Sequence, residues 1–269
     1  MNPQTIPGRR AGRRRLWLIL AAALALRLVL AAATQGYPYD MSCFVAWGDK
    51  LLTQGPAAFY SEGYFADYPP GYLPVLALAA ALRRLLGCGG ESPAGRVLLA
   101  LVPALGDCGV TGLVYALARR RLGDGRTTLC LTLFTAFNPL LLFDTALWKQ
   151  IDGAFVLPLL ACFLLLERRR YLPAAALYGL ALAIKPQALL AGPVLAVCFL
   201  AGVADAWSAG PRARARAVGR CFGGAAAALA VPLAFGLPFF GVGRLLPDLA
   251  EKYLTTASGY PYASINAFN

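Results

Sequence analysis

RRAGRRR at Arg9–Arg15 runs directly into LWLILAAALALRLVLAAAT at Leu16–Thr34. An apolar run of this length approaches the roughly 20 residues a membrane-spanning helix needs. Its basic flank fixes an orientation, since cytoplasmic loops collect Lys and Arg. Ala31-Ala-Ala33 mimics a cleavage site, but further apolar stretches follow, so the segment reads as an uncleaved signal anchor. Val97–Ala118, Thr127–Thr145, Gly153–Leu166, Leu172–Ile184, Ala188–Ala204 and Gly219–Phe240 continue the pattern. The expected fold is an all-α, polytopic transmembrane helical bundle of about seven spans. It is divided into a cytoplasmic basic N-terminus (1–15), a membrane domain (16–240) and a terminal outer segment (241–269).

Composition agrees. The 269 residues are 59% hydrophobic and 14% charged, with no histidine, and the mean hydropathy is +0.60. A soluble domain carries about 25% charge. The net charge of +12 does not point to nucleic acid, because the arginines cluster between apolar runs, as membrane loops require. Cys108, Cys130, Cys162 and Cys198 lie inside apolar runs and read as small hydrophobes. Only Cys43 and Cys88 fall where a disulfide could form. No CxxC or Cys/His cluster suggests a metal site.

Tyr72–Leu86 decides the topology. It holds about 11 clean apolar residues before Arg83-Arg84, a length that suits an interfacial helix better than a span. If it does not cross, 16 Lys/Arg lie inside and 8 outside, with Arg27 in the membrane; if it crosses, the division is 12 against 12. The first arrangement satisfies the positive-inside rule. It makes residues 35–96 one long outer loop with juxtamembrane helices. Eight of the thirteen acids and all four lysines then face outward. Loops this long are usually functional. Localisation in the cell (inner) membrane follows, multi-pass, with the N-terminus cytoplasmic.

Asp40 opens a stretch that puts Met41, Phe44, Val45, Gly48, Leu51 and Leu52 on one helical face, fit for the bilayer interface. Asp40 reads as its N-cap and also as an acid positioned to take a proton from an acceptor hydroxyl. Asp67-Tyr-Pro-Pro-Gly-Tyr72 follows Phe59, Tyr60, Tyr64 and Phe65. It reads either as a stiffened turn with an aromatic belt or as carboxylate and rings around a sugar. Arg27 and Asp107 are ionisable groups deep in spans. Both lie 11 residues from the cytoplasmic ends of their spans, about 16 Å at 1.5 Å per residue, so they are expected to pair. Gly-Tyr-Pro-Tyr occurs twice, at Gly36–Tyr39 and Gly259–Tyr262, too short a match for a structural repeat.

An early acid in the first outer loop, then Asp67-Tyr-Pro-Pro before a juxtamembrane helix, resembles the GT-C superfamily of membrane glycosyltransferases. The likeness is to bacterial relatives of the dolichyl-phosphate-mannose and dolichyl-phosphate-glucose transferases. Asn138-Pro139, Trp148-Lys-Gln-Ile-Asp152, Ile184-Lys-Pro-Gln187 and Ser264-Ile-Asn-Ala-Phe-Asn269 agree in order and sidedness. The resemblance implies a polyprenyl-phosphate-linked sugar as partner, the bilayer as medium, and a hexose, mannose or glucose, moved to an acceptor hydroxyl on the outer face. It implies Asp40 as general base. Asp67, Tyr68, Trp148, Gln150, Asp152 and Asn266 would form the sugar and acceptor pocket. Lys185 and Gln187, with Lys149 as a second cation, would meet the donor phosphate.

Lys185 also reads as a snorkelling interfacial lysine; a cation there would stabilise charge developing on a leaving phosphate. Many GT-C members carry an acid pair where Asp40 is followed by Met41, so no cofactor is expected and a divalent cation is not indicated. Members usually have eleven or more spans, so the chain reads as an amino-terminal fragment. The alternative is a transporter or lipid flippase, whose mark would be ionisable groups at the midplane and helices broken in paired halves.

Overall fold

The structure is a computed structural model and describes residues 7–258. Every regular element among them is helical. Among the described residues five helical segments are long and apolar enough to cross a membrane: Gly12–Ala33, Pro93–Leu122, Arg126–Trp148, Pro186–Trp207 and Pro211–Thr256. The protein is a polytopic helical bundle protein. Two of the seven expected spans are shorter. Asp152–Glu167 and Tyr171–Ile184 have 16 and 14 residues, about 24 and 21 Å of helix against a hydrocarbon core of about 30 Å. Loop residues at their ends, among them Arg168–Arg170, cut them short.

The helices are α1 (Pro7–Ala33), α2 (Pro38–Gln54), α3 (Leu73–Leu85), α4 (Pro93–Leu122), α5 (Arg126–Ala136) and α6 (Pro139–Leu142). After a π-turn at Phe143–Trp148 come α7 (Asp152–Glu167), α8 (Tyr171–Ile184), a 3-10 segment at Pro186–Ala191, α9 (Gly192–Trp207) and α10 (Pro211–Ser258). Alanine and leucine, both strong helix formers, fill α1. Gly36, at φ 82°, turns the chain after it. Proline opens α2, α4, α6 and α10 at a position where its missing N–H costs nothing. Ser92 caps α4 by accepting from the Gly95 N–H at 3.1 Å. Arg119–Arg121 close the same helix against its negative end.

The chain divides into two compact units, residues 1–48 with 75–161 and residues 49–74 with 162–269. In the first, α1, α4 and α5 pack on one another. Gly106 of α4 and Gly153 of α7 let the two backbones approach until a Cβ at either would collide with the other helix. Such small-residue crossings are how helices associate in lipid. In the second, α8 lies on α10, with Gly179 against the backbone of Ala228. α10 is not one straight rod. Gly241, at φ 65° and ψ 170°, breaks it. Beyond the break the chain returns on itself, so that a Cβ on Gly236 would lie 2.9 Å from Leu245 Cδ1.

α3 has 13 residues, about 20 Å, in keeping with a helix too short to span. α2 corrects two expectations. It begins at Pro38, so Asp40 sits inside its first turn rather than before it as an N-cap. Its apolar face is covered by protein rather than offered to the interface. Met41, Phe44 and Trp47 are buried, and Gly48 is so close to α3 that a Cβ would lie 2.6 Å from Leu76 O. None of the seven cysteines, Cys43 and Cys88 included, is joined in a disulfide.

Candidate functional site

The first unit brings Asp40 to the turn Trp148-Lys149-Gln150. Asn138 accepts from the Leu140 N–H at 2.9 Å and caps α6, and the chain then widens into the π-turn, a form of helix often found at functional sites. Lys149 follows in the left-handed region, at φ 69° and ψ 37°. Both the Lys149 and Gln150 N–H groups donate to Asp144 O. The reversal sends alternate side chains in opposite directions. Trp148 Nε1 donates to Asp40 Oδ2 at 3.3 Å, and Gln150 Nε2 donates to the same oxygen. The half-buried Asp40 carboxylate is thereby oriented from two sides at the positive end of α2.

Lys149 points the other way and is only 2% exposed. Its ammonium donates to Thr34 O at 2.8 Å, to Thr34 Oγ1 at 2.9 Å and to Ala146 O at 3.2 Å. Three donors meet three acceptors, so this lysine is committed to the end of α1. Arg96 Nη2 donates to Ala32 O at 2.6 Å, which places a second cation on the same helix terminus. Burial, and secondarily the Arg96 charge, push the Lys149 amine down to about 8. Tyr37 completes the turn: its N–H donates to Trp148 O at 3.1 Å, and its ring lies 5.2 Å from the Trp148 ring. Beside it Tyr37, Phe143 and Trp148 line an open groove of about 210 Å³. Asp152 opens α7 two residues after Gln150.

Arg27 Nε lies 2.9 Å from Asp107 Oδ2, with both side chains buried. Arg27 Nη1 also donates to Ala136 O at 2.8 Å. That carbonyl loses its ordinary helical partner because the Leu140 N–H is taken by Asn138. The arginine therefore closes the helix break at Asn138-Pro139 as well as neutralising the aspartate. The break is legible in the sequence, but the residue that satisfies it is 109 positions away.

In the second unit Asp67, Tyr68, Lys185 and Gln187 share a cleft of about 370 Å³ with Tyr253 and Thr256. Gly71 lets the Asp67 loop clamp α8, its N–H donating to Ala183 O at 2.8 Å. Lys185 is buried and Gln187 exposed. Lys185 adopts an extended backbone at φ −148° where Pro186 ends the α-helix. The returning arm of α10 holds the loop in place. Lys252 Nζ donates to Ala66 O, Thr256 Oγ1 to Asp67 O at 2.8 Å, and Tyr253 OH to Leu182 O at 2.8 Å. Tyr60 OH donates to Tyr68 O at 2.7 Å from within the loop. Burial raises the Tyr60 phenol well above its ordinary range, so it serves as a neutral donor.

Sequence reading missed Lys252, Tyr253 and Thr256; their spacing on one helical face was the available signal. Asn266 and the second Gly-Tyr-Pro-Tyr lie outside the described residues. Among the described residues no three His, Cys, Asp or Glu side chains gather in a way that could hold a metal ion.

A comparison with curated proteins finds none that matches. The model of Glycosyltransferase family 87 matches residues 65–263. The match takes in Asp67, the Trp148–Asp152 turn, Lys185, Gln187 and the Tyr253 face; Asp40 precedes it. With about three-quarters of the sequence matched, the chain belongs to glycosyltransferase family 87.

Proposed function

We propose that the protein moves a hexose, mannose or glucose, from a polyprenyl-phosphate carrier to an acceptor hydroxyl at the extracytoplasmic face of the cell membrane. Asp40 acts as general base. It takes the hydroxyl proton as that oxygen bonds to the anomeric carbon, the bond from that carbon to the phosphate oxygen breaks, and polyprenyl phosphate departs with the electron pair. Configuration at carbon inverts. The observation that carries this reading is the Asp40 carboxylate, held on one oxygen by Trp148 and Gln150 at the half-buried start of a rigid helix. A base must be fixed in direction before its basicity counts.

Lys185 and Gln187 are assigned to the charge on the departing phosphate, and Asp67, Tyr68, Trp148 and Asp152 to sugar and acceptor. Lys149, with its three donors engaged, becomes a positioning residue that sets the turn carrying Trp148 and Gln150. No divalent cation has a role in this scheme. Membership in a glycosyltransferase family favours transfer over the transporter alternative.

The test offers labelled polyprenyl-phosphate mannose and glucose separately to membranes holding matched amounts of the wild-type chain or Asp40→Asn. Transfer from one donor in wild type, reduced about 10²- to 10⁴-fold in the variant, is expected for a lost general base. Transfer undiminished in Asp40→Asn would remove Asp40 from the chemistry. Transfer from neither donor would overturn the donor assignment.

A further inference from the structure

The second unit carries another concavity that the transfer scheme does not use. At the Tyr171 end of α8, an open cleft of about 400 Å³ is lined by Arg169, Arg170, Tyr171, Leu172 and Arg220. It lies one helix length, about 21 Å along α8, from the Lys185 end that borders the Asp67 cleft. Two elements supply the cations: the turn before α8, and α10 nine residues beyond its start. The Arg220 guanidinium stands 5.6 Å from the centre of the Tyr171 ring. Arg169 reaches Asp205 at 3.4 Å, but that pair is largely exposed and worth little. Between residues 167 and 220, outside the Lys185 end, seven arginines face two acids, so the surroundings leave the cleft strongly positive.

The rim tells what kind of anion fits. Leu172 and Pro173 give that rim an apolar part, and the Leu172 side chain is exposed. At the end of α9 the Arg214 guanidinium stands 4.7 Å from the centre of the Trp207 ring, as aromatic and basic side chains combine at headgroup level. A soluble anion has no use for that apolar rim. A lipid does: its phosphate meets the arginines and its chains follow the apolar flank.

We propose that this cleft binds the phosphate headgroup of an anionic phospholipid, independently of the transfer site. Basic pockets between membrane helices take such headgroups by direct charge pairing, and arginine offers the forked donors that suit a phosphodiester.

The full chain in a neutral detergent, freed of native lipid, would be titrated with dioctanoyl phosphatidylglycerol, dioctanoyl phosphatidylcholine and inorganic phosphate while its thermal midpoint is followed. A saturable rise with phosphatidylglycerol, absent with the other two, is expected. Arg170→Gln should weaken the apparent affinity about fivefold, and Arg170→Gln with Arg220→Gln about 25-fold, at roughly one surface-charge contribution each. The single variant leaves the Arg220–Tyr171 contact in place, so a failure of the double variant to fold does not spoil the test. An equal response to phosphatidylcholine, the same rise with inorganic phosphate alone, or an unchanged affinity in the single variant would overturn the proposal.

Discussion

Lys149 occupies backbone space that costs a side chain of its kind about 1–2 kcal/mol, and its ammonium is buried. Both are tolerated because three carbonyl and hydroxyl acceptors surround it. The charged form is nevertheless disfavoured by the fold: the amine titrates at about 8 in place of its ordinary 10.5. Below pH 8 the folded chain bears the whole penalty of a buried ammonium. Between pH 8 and 10.5 the unfolded chain holds the proton that the folded chain has lost, so stability rises with pH through that window. The thermal midpoint of wild type should therefore gain on that of Lys149→Met between pH 8 and 10.5; a difference flat across that range would mean that the lysine is not buried as described. Arg27 and Asp107 make the contrasting case. Asp107→Asn leaves the arginine charge without its partner and should cost about 3–5 kcal/mol, while Arg27→Met with Asp107→Leu recovers much of it. Denaturation of the wild type and both variants in detergent checks this.

The helices show why their ends, rather than their middles, carry this protein's special positions. At the end of α7 the Arg170 N–H donates to Leu165 O and the Arg169 N–H to Leu166 O, a closing pattern that normally ends in glycine. Here Arg169 takes the left-handed residue, at φ 57°. Arg169→Gly should relieve that strain, less the entropy a glycine adds to the unfolded chain, for a net gain of up to about 1 kcal/mol. The gain would be read as a raised thermal midpoint in lipid-free detergent, and a lowered midpoint would show that the arginine contributes more than its strain. The same logic explains how far each element could be read in advance. Asn138-Pro139 announces a helix break by composition. The π-turn after it does not, because a π-turn depends on which distant groups accept the widened backbone. α2 was legible as a helix with an apolar face, but not what covers that face, since lipid and a neighbouring helix ask for the same side chains.

At the scale of the molecule, α8 and α10 run in the same direction, with Tyr171 beside Arg220 and Gly179 beside Ala228. The turn before α8 is therefore level with the first third of α10. The proposed orientation gives two loops opposite fates. Alkaline phosphatase inserted at Gly63 should be active, and at Gly210 inactive, each glycine having open space where a Cβ would stand. Activity at Gly210 would invert the topology and move Asp40 to the wrong side for the proposed donor.

The sequence by itself determined that this chain is helical and membrane-embedded, which residues bracket its apolar runs, and that Arg27 and Asp107 share a depth. Those properties are additive along the chain: hydropathy sums over a window, and rise per residue converts position to depth. Only the tertiary structure decided that Lys149 serves a helix end, that Trp148 and Gln150 share one oxygen of Asp40, and that α10 turns back at Gly241 to hold the Asp67 loop. Each of those depends on one hydrogen bond or one backbone reversal between residues far apart in the chain, and no local pattern records which distant partner a polar group will find.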